Sequence, residues 1–396
     1  LGETVSLDLS IRVESALEAQ TLAISNTAKK MKADGIDVVS LSVGEPDFDT
    51  PQCAKNAAIK ALSENFTHYT DSNGIAELRE EIAKKFRDEN GIVHAKSSNI
   101  IVSGGAKQCI YNALMALCNE GDEVIILAPY WVSYPAMAVL CGAKPIIVSG
   151  DFENHYKVKP EQLKAAITSK TKCVILNSPS NPTGMMYTEQ EIRDFAQIIA
   201  EADCYLLSDE IYEKLTYSEV KHFSPGAIPE LSEKVITVNG MSKAYAMTGW
   251  RIGYMHAPDH VFKEISKVQG QSTSHPNSIA QKASLAALQE GSSDIEQMRI
   301  AFAQRKHLTC TLLSDIPGLK FHIPDGAFYV FISFEDITDD VDFCSYLLEK
   351  HHVALVPGDA FGCPGALRIS FAANEITLKK GIERLAQGLK AYGHTA

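Results

Sequence analysis

The sequence predicts an α/β protein: a mostly parallel seven-stranded sheet in a large domain, joined to a smaller α+β domain. Three observations predict it. Seven short β-rich runs, at 100–103, 123–127, 145–148, 172–177, 205–208, 235–239 and 252–256, follow one another through the middle of the chain. Amphipathic helical patterns such as 108–118 and 189–202 stand between most of them, and apolar strands alternating with helices imply a sheet covered on both faces. The length, 396 residues, exceeds one ordinary hydrophobic core, so two lobes are expected.

In chain order, the spacing predicts an N-terminal helix over about 12–33 and a strand at 38–41. The apolar stretch 124–143 has the length of a membrane span, but Pro129 and Pro135 interrupt it, so it reads as strand, loop and helix. Further helices follow over 259–289. From about Ser292 the pattern changes: a long helix at 294–313, a strand at 327–332, a helix at 342–351, strands at 353–356 and 367–371, and a last helix from Glu375. The expected division is a large domain at 48–292 and a small domain built from both chain ends, 1–47 and 293–396.

A net charge of −12 repels nucleic-acid phosphates and argues equally against a polybasic membrane anchor. The nine cysteines form no CxxC pair and several sit in apolar runs, which reads as buried free thiols in a reducing compartment and not as metal ligands. No secretory signal is visible, and a cytoplasmic location is expected.

In a parallel sheet, ligands bind beyond the carboxyl ends of the strands. After 100–103 come Gly104, Gly105, Ala106 and Lys107, and then a helix: free N–H groups at a helix start suit a phosphate, although such glycines often only permit tight packing. After 123–127 comes Trp131, a surface for a flat ligand or else a core aromatic. Asn181 follows 172–177 in ordinary turn chemistry. Asp209 follows 205–208, where a buried carboxylate needs a partner, while Glu210 is expected to face outward. Lys243 follows a buried strand and precedes an apolar stretch, the setting of a nucleophilic amine and not of a surface lysine. Arg251 is a candidate phosphate fork, and Arg368, inside an apolar strand, needs an anion.

These segments, in this order, resemble the class-I (fold-type-I) aminotransferases dependent on pyridoxal phosphate (PLP), in details closest to the bacterial Ib aspartate aminotransferases. The resemblance rests on SLSVGEPDFDTP at 40–51, HYTDSNG at 68–74, PYWVSYP at 129–135, NSPSNPTG at 177–184, SDEIYE at 208–213, GMSKAYAMTGWRIG at 240–253 and GALRIS at 365–370, and it covers nearly the whole chain. It implies the PLP-dependent transferase fold type I. It implies that Lys243 forms the Schiff base with PLP, that Asp209 holds a proton on the pyridine nitrogen, and that Tyr212 and Asn181 bond the phenolic oxygen. Trp131 would stack on the ring, and Gly105, Ala106 and Lys107, through their backbone N–H groups, with Ser242 and Arg251 would hold the phosphate. Tyr69 would reach the phosphate from a partner subunit, hence a homodimer. Arg368, with Asn181, Trp131 and the backbone of Gly44, would hold the substrate. Gly240 stands where many relatives have a phosphate-binding Ser.

The implied reaction is ping-pong transfer of an amino group from an L-amino acid, by default aspartate, to 2-oxoglutarate. Alanine, aromatic or prephenate-type substrates and a lyase on the same fold are the alternatives. The sequence does not show which cation would meet a distal carboxylate. A PLP-fold DNA-binding regulator needs an added basic module, for which the chain has no spare length.

Overall fold

The computed structural model describes residues 9–16 and 20–393. Its first strand is β1 (Val39–Ser40), and seven strands follow: β2 (Ile100–Ser103), β3 (Glu123–Ala128), β4 (Lys144–Ser149), β5 (Thr171–Asn177), β6 (Tyr205–Asp209), β7 (Val235–Gly240) and β8 (Gly253–His256). These seven form one sheet in the order β2-β8-β7-β6-β5-β3-β4. All neighbours run parallel except at β8, which is antiparallel to both β2 and β7. The alternation of side chains builds two cores. Val124, Ile126, Ile175, Leu207 and Ile236 pack with the helix Ala106–Leu117 on one face, while Ile125, Val174, Leu176 and Leu206 pack with the helix Glu189–Glu201 on the other.

Among the described residues five further short strands follow: β9 (Lys320–Phe321), β10 (Tyr329–Ser333), β11 (Val353–Ala354), β12 (Val356–Pro357) and β13 (Ala366–Ser370). Four of them form an antiparallel sheet in the order β12-β13-β10-β9, and β11 pairs in parallel with β1. Val39 and Leu41, from the start of the chain, share a core with Phe343, Leu347, Ile369 and Leu385 from its end.

Two expectations need correction. The run at 353–356 is not one strand: Leu355 lies between β11 and β12, which pair with different sheets. All of these residues are buried, so an apolar run alone could not reveal the change of partner. The N-terminal helix is also not continuous. A turn at Ile11–Glu14 stops at Ser15, whose hydroxyl donates back to the carbonyls of Ile11 and Arg12, and the helix resumes over Gln20–Ala33; residues 17–19 lie outside the described residues. The stretch 124–143 does fold as strand, loop and the helix Ser133–Leu140. No helix among the described residues is long and apolar enough to cross a membrane. All nine cysteines are free thiols, six of them buried.

Candidate active site

The carboxyl ends of β2, β3, β5, β6 and β7 open onto one cavity of about 500 Å³. Its lining includes Gly44, Ala106, Lys107, Trp131, Asn181, Asp209, Tyr212, Ser242, Lys243, Arg251 and Arg368. Residues scattered over more than three hundred positions of sequence thus meet because parallel strands all end on one edge. Tyr69 is elsewhere, 91% exposed and edge-on to the His275 ring at 5.5 Å.

Lys243 enters the cavity three residues beyond the end of β7 and donates to the backbone carbonyl of Gly44. Burial pushes its amine down to about 8, and the cationic Arg368 and Arg251 push the same way. Asp209, the last residue of β6, is buried. Burial raises its carboxyl to about 6 against the hydrogen bonds that Tyr134 and the N–H of Ile211 donate to it, at 2.7 and 3.2 Å. An amine and an acid are therefore both drawn toward neutral pH within one enclosure, the condition of groups that exchange protons.

Arg368 lies within β13 and is only 4% exposed. Its Nη1 donates to Asn181 Oδ1 at 2.8 Å and its Nη2 to the carbonyl of Ser42 at 2.7 Å. Both acceptors are neutral, and its buried Nε has no partner among the described residues. The guanidinium lies 4.3 Å from the ring centre of Tyr329 and 5.0 Å from that of Phe361. A buried cation with only neutral acceptors has unused capacity for a carboxylate. Tyr212 and Tyr329 join their hydroxyls at 2.9 Å, so a residue of the loop after β6 touches one from β10. Burial raises both phenols, which keeps them protonated.

The loop after β2 is shaped by backbone proximity. Gly105 has φ +99°, and a Cβ there would stand 2.5 Å from Arg251 Nη2. At Gly253 a Cβ would come within 2.2 Å of the Ala106 nitrogen. Both positions accept only glycine, so Arg251 and the start of the helix Ala106–Leu117 are held together at one corner. Arg251 donates to the carbonyls of Thr248 and Gly104 at 2.9 and 3.2 Å. The Lys107 ammonium lies 4.9 Å from the Trp131 ring centre, and burial, with Arg251 nearby, lowers its pKa. That side chain faces the cavity, although sequence reasoning offered only the backbone of Lys107 and placed no second cation.

Glu210 corrects another expectation. It is 1% exposed and accepts from Ser208 and Ser224 at 2.8 and 2.7 Å, from Asn90 at 3.0 Å, and bonds His222 at 3.0 Å. In a sheet covered on both faces no outward side exists for it to occupy. Beside it, burial works to raise Glu213, but Lys85, His222 and Asn90 overcome this and leave it at about 2. Glu210, Glu213 and His222 offer ligand atoms within 4.8 Å of one another, and the Lys85 ammonium already supplies a cation to Glu213.

Among the lining residues that sequence reasoning left without a role are Tyr134, Tyr329 and Ser42. A signal existed for Tyr134, which follows Trp131 by three residues at a helix start, so that the two rings meet at 5.3 Å.

A two-lobed α/β fold with a buried amine, an acid and an unpaired guanidinium at the carboxyl edge of its main sheet defines an enzyme that works on a small anionic substrate. The chain belongs to the aminotransferases of class I and II, whose family model matches residues 36–385. It is 46% identical to an aspartate aminotransferase of Bacillus subtilis, over 98% of this chain and 100% of that one. It is 42% identical to a probable aspartate/prephenate aminotransferase of Aquifex aeolicus, over 96% of this chain and 98% of that protein. Among solved structures, the aspartate aminotransferase of Thermus thermophilus with maleate matches with a TM-score of 0.93 at 42% identity, over 97% of this chain and all of that one.

The protein is thus a PLP-dependent aminotransferase. The residues present fit that cofactor. A buried amine can take up its aldehyde, a buried acid can face its ring nitrogen, and the corner of Gly105, Ala106 and Arg251, closed to any added Cβ, can take its phosphate.

Proposed function

We propose that this enzyme transfers the amino group of L-aspartate to 2-oxoglutarate in ping-pong fashion. Of the cations that line the cavity beyond Lys243 and Arg251, Lys29 is exposed, and the observation that carries the specificity is the other two: Arg368, buried among neutral acceptors, and Lys107, partly desolvated over Trp131. A four-carbon dicarboxylate has one carboxylate for each. The names of the relatives and the maleate, itself a four-carbon dicarboxylate, in the Thermus thermophilus structure support the same reading.

In this reading Lys243 would anchor the cofactor covalently, Asp209 would pair with its ring nitrogen, Trp131 would stack on it, and Tyr212 and Asn181 would bond its phenolic oxygen. Gly105, Ala106 and Lys107 through their N–H groups, with Ser242 and Arg251, hold the phosphate. The cofactor, when bound, supplies an electron sink for the pair left at Cα. Arg368, with Asn181 and the backbone of Gly44, fixes the α-carboxylate and so sets which Cα bond is labile. Nζ of Lys243 then takes the Cα proton and carries it to the next acceptor. Tyr69, exposed on its own subunit, fits a role at the site of a second copy, and hence a homodimer. The expected division, 48–292 as the cofactor lobe and 1–47 with 293–396 as the lobe that carries Arg368, is supported among the described residues by the core that Val39 and Leu41 share with Ile369 and Leu385. Nine free thiols suit the cytoplasm.

A panel of amino donors with 2-oxoglutarate, and of oxo-acid acceptors including prephenate, tests the assignment. Aspartate should lead the donors in kcat/KM; a preference for alanine or aromatic donors would overturn it. Lys107→Gln should lower kcat/KM for aspartate by roughly 10- to 100-fold, the scale of a charge-assisted contact, and leave alanine nearly unchanged. Equal losses for both donors would remove Lys107 from distal recognition. Arg368→Lys keeps the charge and loses the planar fork, so every carboxylate donor should weaken by about 1.5–3 kcal/mol in kcat/KM. Unaltered steady-state kinetics would refute the clamp.

A further inference from the structure

We propose that Tyr134 is a positioning residue for the reaction: its phenol holds the Asp209 carboxylate in place as the anionic partner of the cofactor ring. The proposal rests on the assignment of Asp209 to that ring.

Tyr134 Oη donates to Asp209 Oδ2 at 2.7 Å, and the backbone N–H of Ile211 donates to Oδ1 at 3.2 Å. Both oxygens are thereby restrained, and Tyr134 is the one side-chain donor to them among the described residues. The phenol has little freedom of its own. Tyr134 is 2% exposed, lies in the first turn of the helix Ser133–Leu140, and packs in the core beside Ile101 and Cys109. Its ring meets that of Trp131 edge-on at 87°, and its backbone N–H donates to the Trp131 carbonyl at 3.0 Å. One short helix start therefore places both the indole that lines the cavity and the donor that reaches beneath it.

The electrostatics give this contact its purpose. Burial drives Asp209 toward the neutral acid, and the neighbouring Glu210 pushes the same way, while Tyr134, the Ile211 N–H and the Lys243 ammonium oppose them. A neutral acid could not serve as counter-charge to a protonated ring nitrogen. The titratable groups that face Asp209 are Tyr134, Glu210, Lys243, Tyr212 and Cys109. Tyr212 and Cys109 stay protonated, since burial raises both, and so does Tyr134 itself. Of the neutral side chains only Tyr134 is aimed at the carboxylate, so it can donate at every working pH.

The test is PLP affinity of the full-length apoprotein, read by quenching of intrinsic fluorescence across pH, for the parent, Tyr134→Phe, Asp209→Ala and the double variant. Tyr134→Phe should weaken PLP roughly 10- to 100-fold. Its acid limb of affinity should move to higher pH, because the acid stays protonated further up the scale. In the holoenzyme kcat should fall with KM little changed. The double variant should bind PLP no more weakly than Asp209→Ala alone, since the hydroxyl acts only through that carboxylate. A 3-fluorotyrosine at 134 keeps ring and hydroxyl but donates more strongly. It should move the acid limb to lower pH, and it carries the test if the Phe variant fails to fold. A Tyr134→Phe protein with the parent's affinity and acid limb, or losses that add in the double variant, would overturn the proposal. Parent-like affinity in Asp209→Ala would instead strike the assignment of Asp209, and this proposal with it.

Discussion

Lys243→Ala will reduce amino transfer by roughly 10⁴-fold or more while the fold and much of the PLP affinity persist. Two losses coincide in this variant. On the proposed assignment the covalent anchor goes, and so does the base that would remove the Cα proton. The structure makes replacement by another group difficult. The amine is parked on the Gly44 carbonyl, and of the two other lysines that line the cavity Lys107 is engaged with the Trp131 ring and Lys29 is exposed. Single-turnover reaction of the reconstituted variant with aspartate, followed by the cofactor absorbance, is the measurement. A rate within about tenfold of the parent would falsify the assignment of Lys243 as base. The parent carries a pH signature of the same residue. Burial holds the free amine near 8, so the neutral fraction grows as pH rises through that value. Uptake of PLP by the apoprotein should accelerate over the same interval, and a flat profile would count against an amine so placed.

Asp209→Ala should slow Cα proton loss by roughly 10²- to 10³-fold, the usual effect of removing one group aimed at charge that develops in the transition state. The substitution differs in kind from that at Lys243. On the proposed assignment it leaves anchor and base in place and removes the anion that would keep a proton on the ring, so PLP should still attach but drain electrons poorly. Single-turnover kinetics with Cα-deuterated aspartate separate the two steps. The isotope effect should grow as proton removal becomes slower than the rest of the cycle. A single-turnover rate equal to the parent's would dissociate Asp209 from the chemistry.

Much of the fold could be read from the sequence because the seven main strands are short apolar runs set between amphipathic helices, and that pattern has few architectures open to it. The rim residues followed from the same reading: Asn181, Asp209 and Lys243 each stand within four residues of a strand's end. What stayed hidden depends on partners remote in sequence. Glu210 looked like a solvent-facing acid, and its burial is intelligible only once Asn90, His222 and Ser224 are seen around it. Tyr329 bonds a tyrosine 117 positions away, and no local period encodes that distance. The side chain of Lys107 was unreadable for another reason: a lysine near a helix start is usually solvated, and only the indole across the gap draws it inward.

The reversed course of β8 has a consequence for how the protein tolerates change. Because Gly240 and Gly253 are register partners, the chain leaves the rim and returns to it in one short excursion that carries both Lys243 and Arg251. The two residues proposed for the two ends of the cofactor thus stand in a single covalent cassette. Crossovers that run through helices can absorb an insertion by gaining a turn at their far ends. This loop has no such slack: one added or deleted residue would shift amine and guanidinium against each other, so its length should be the least negotiable in the molecule.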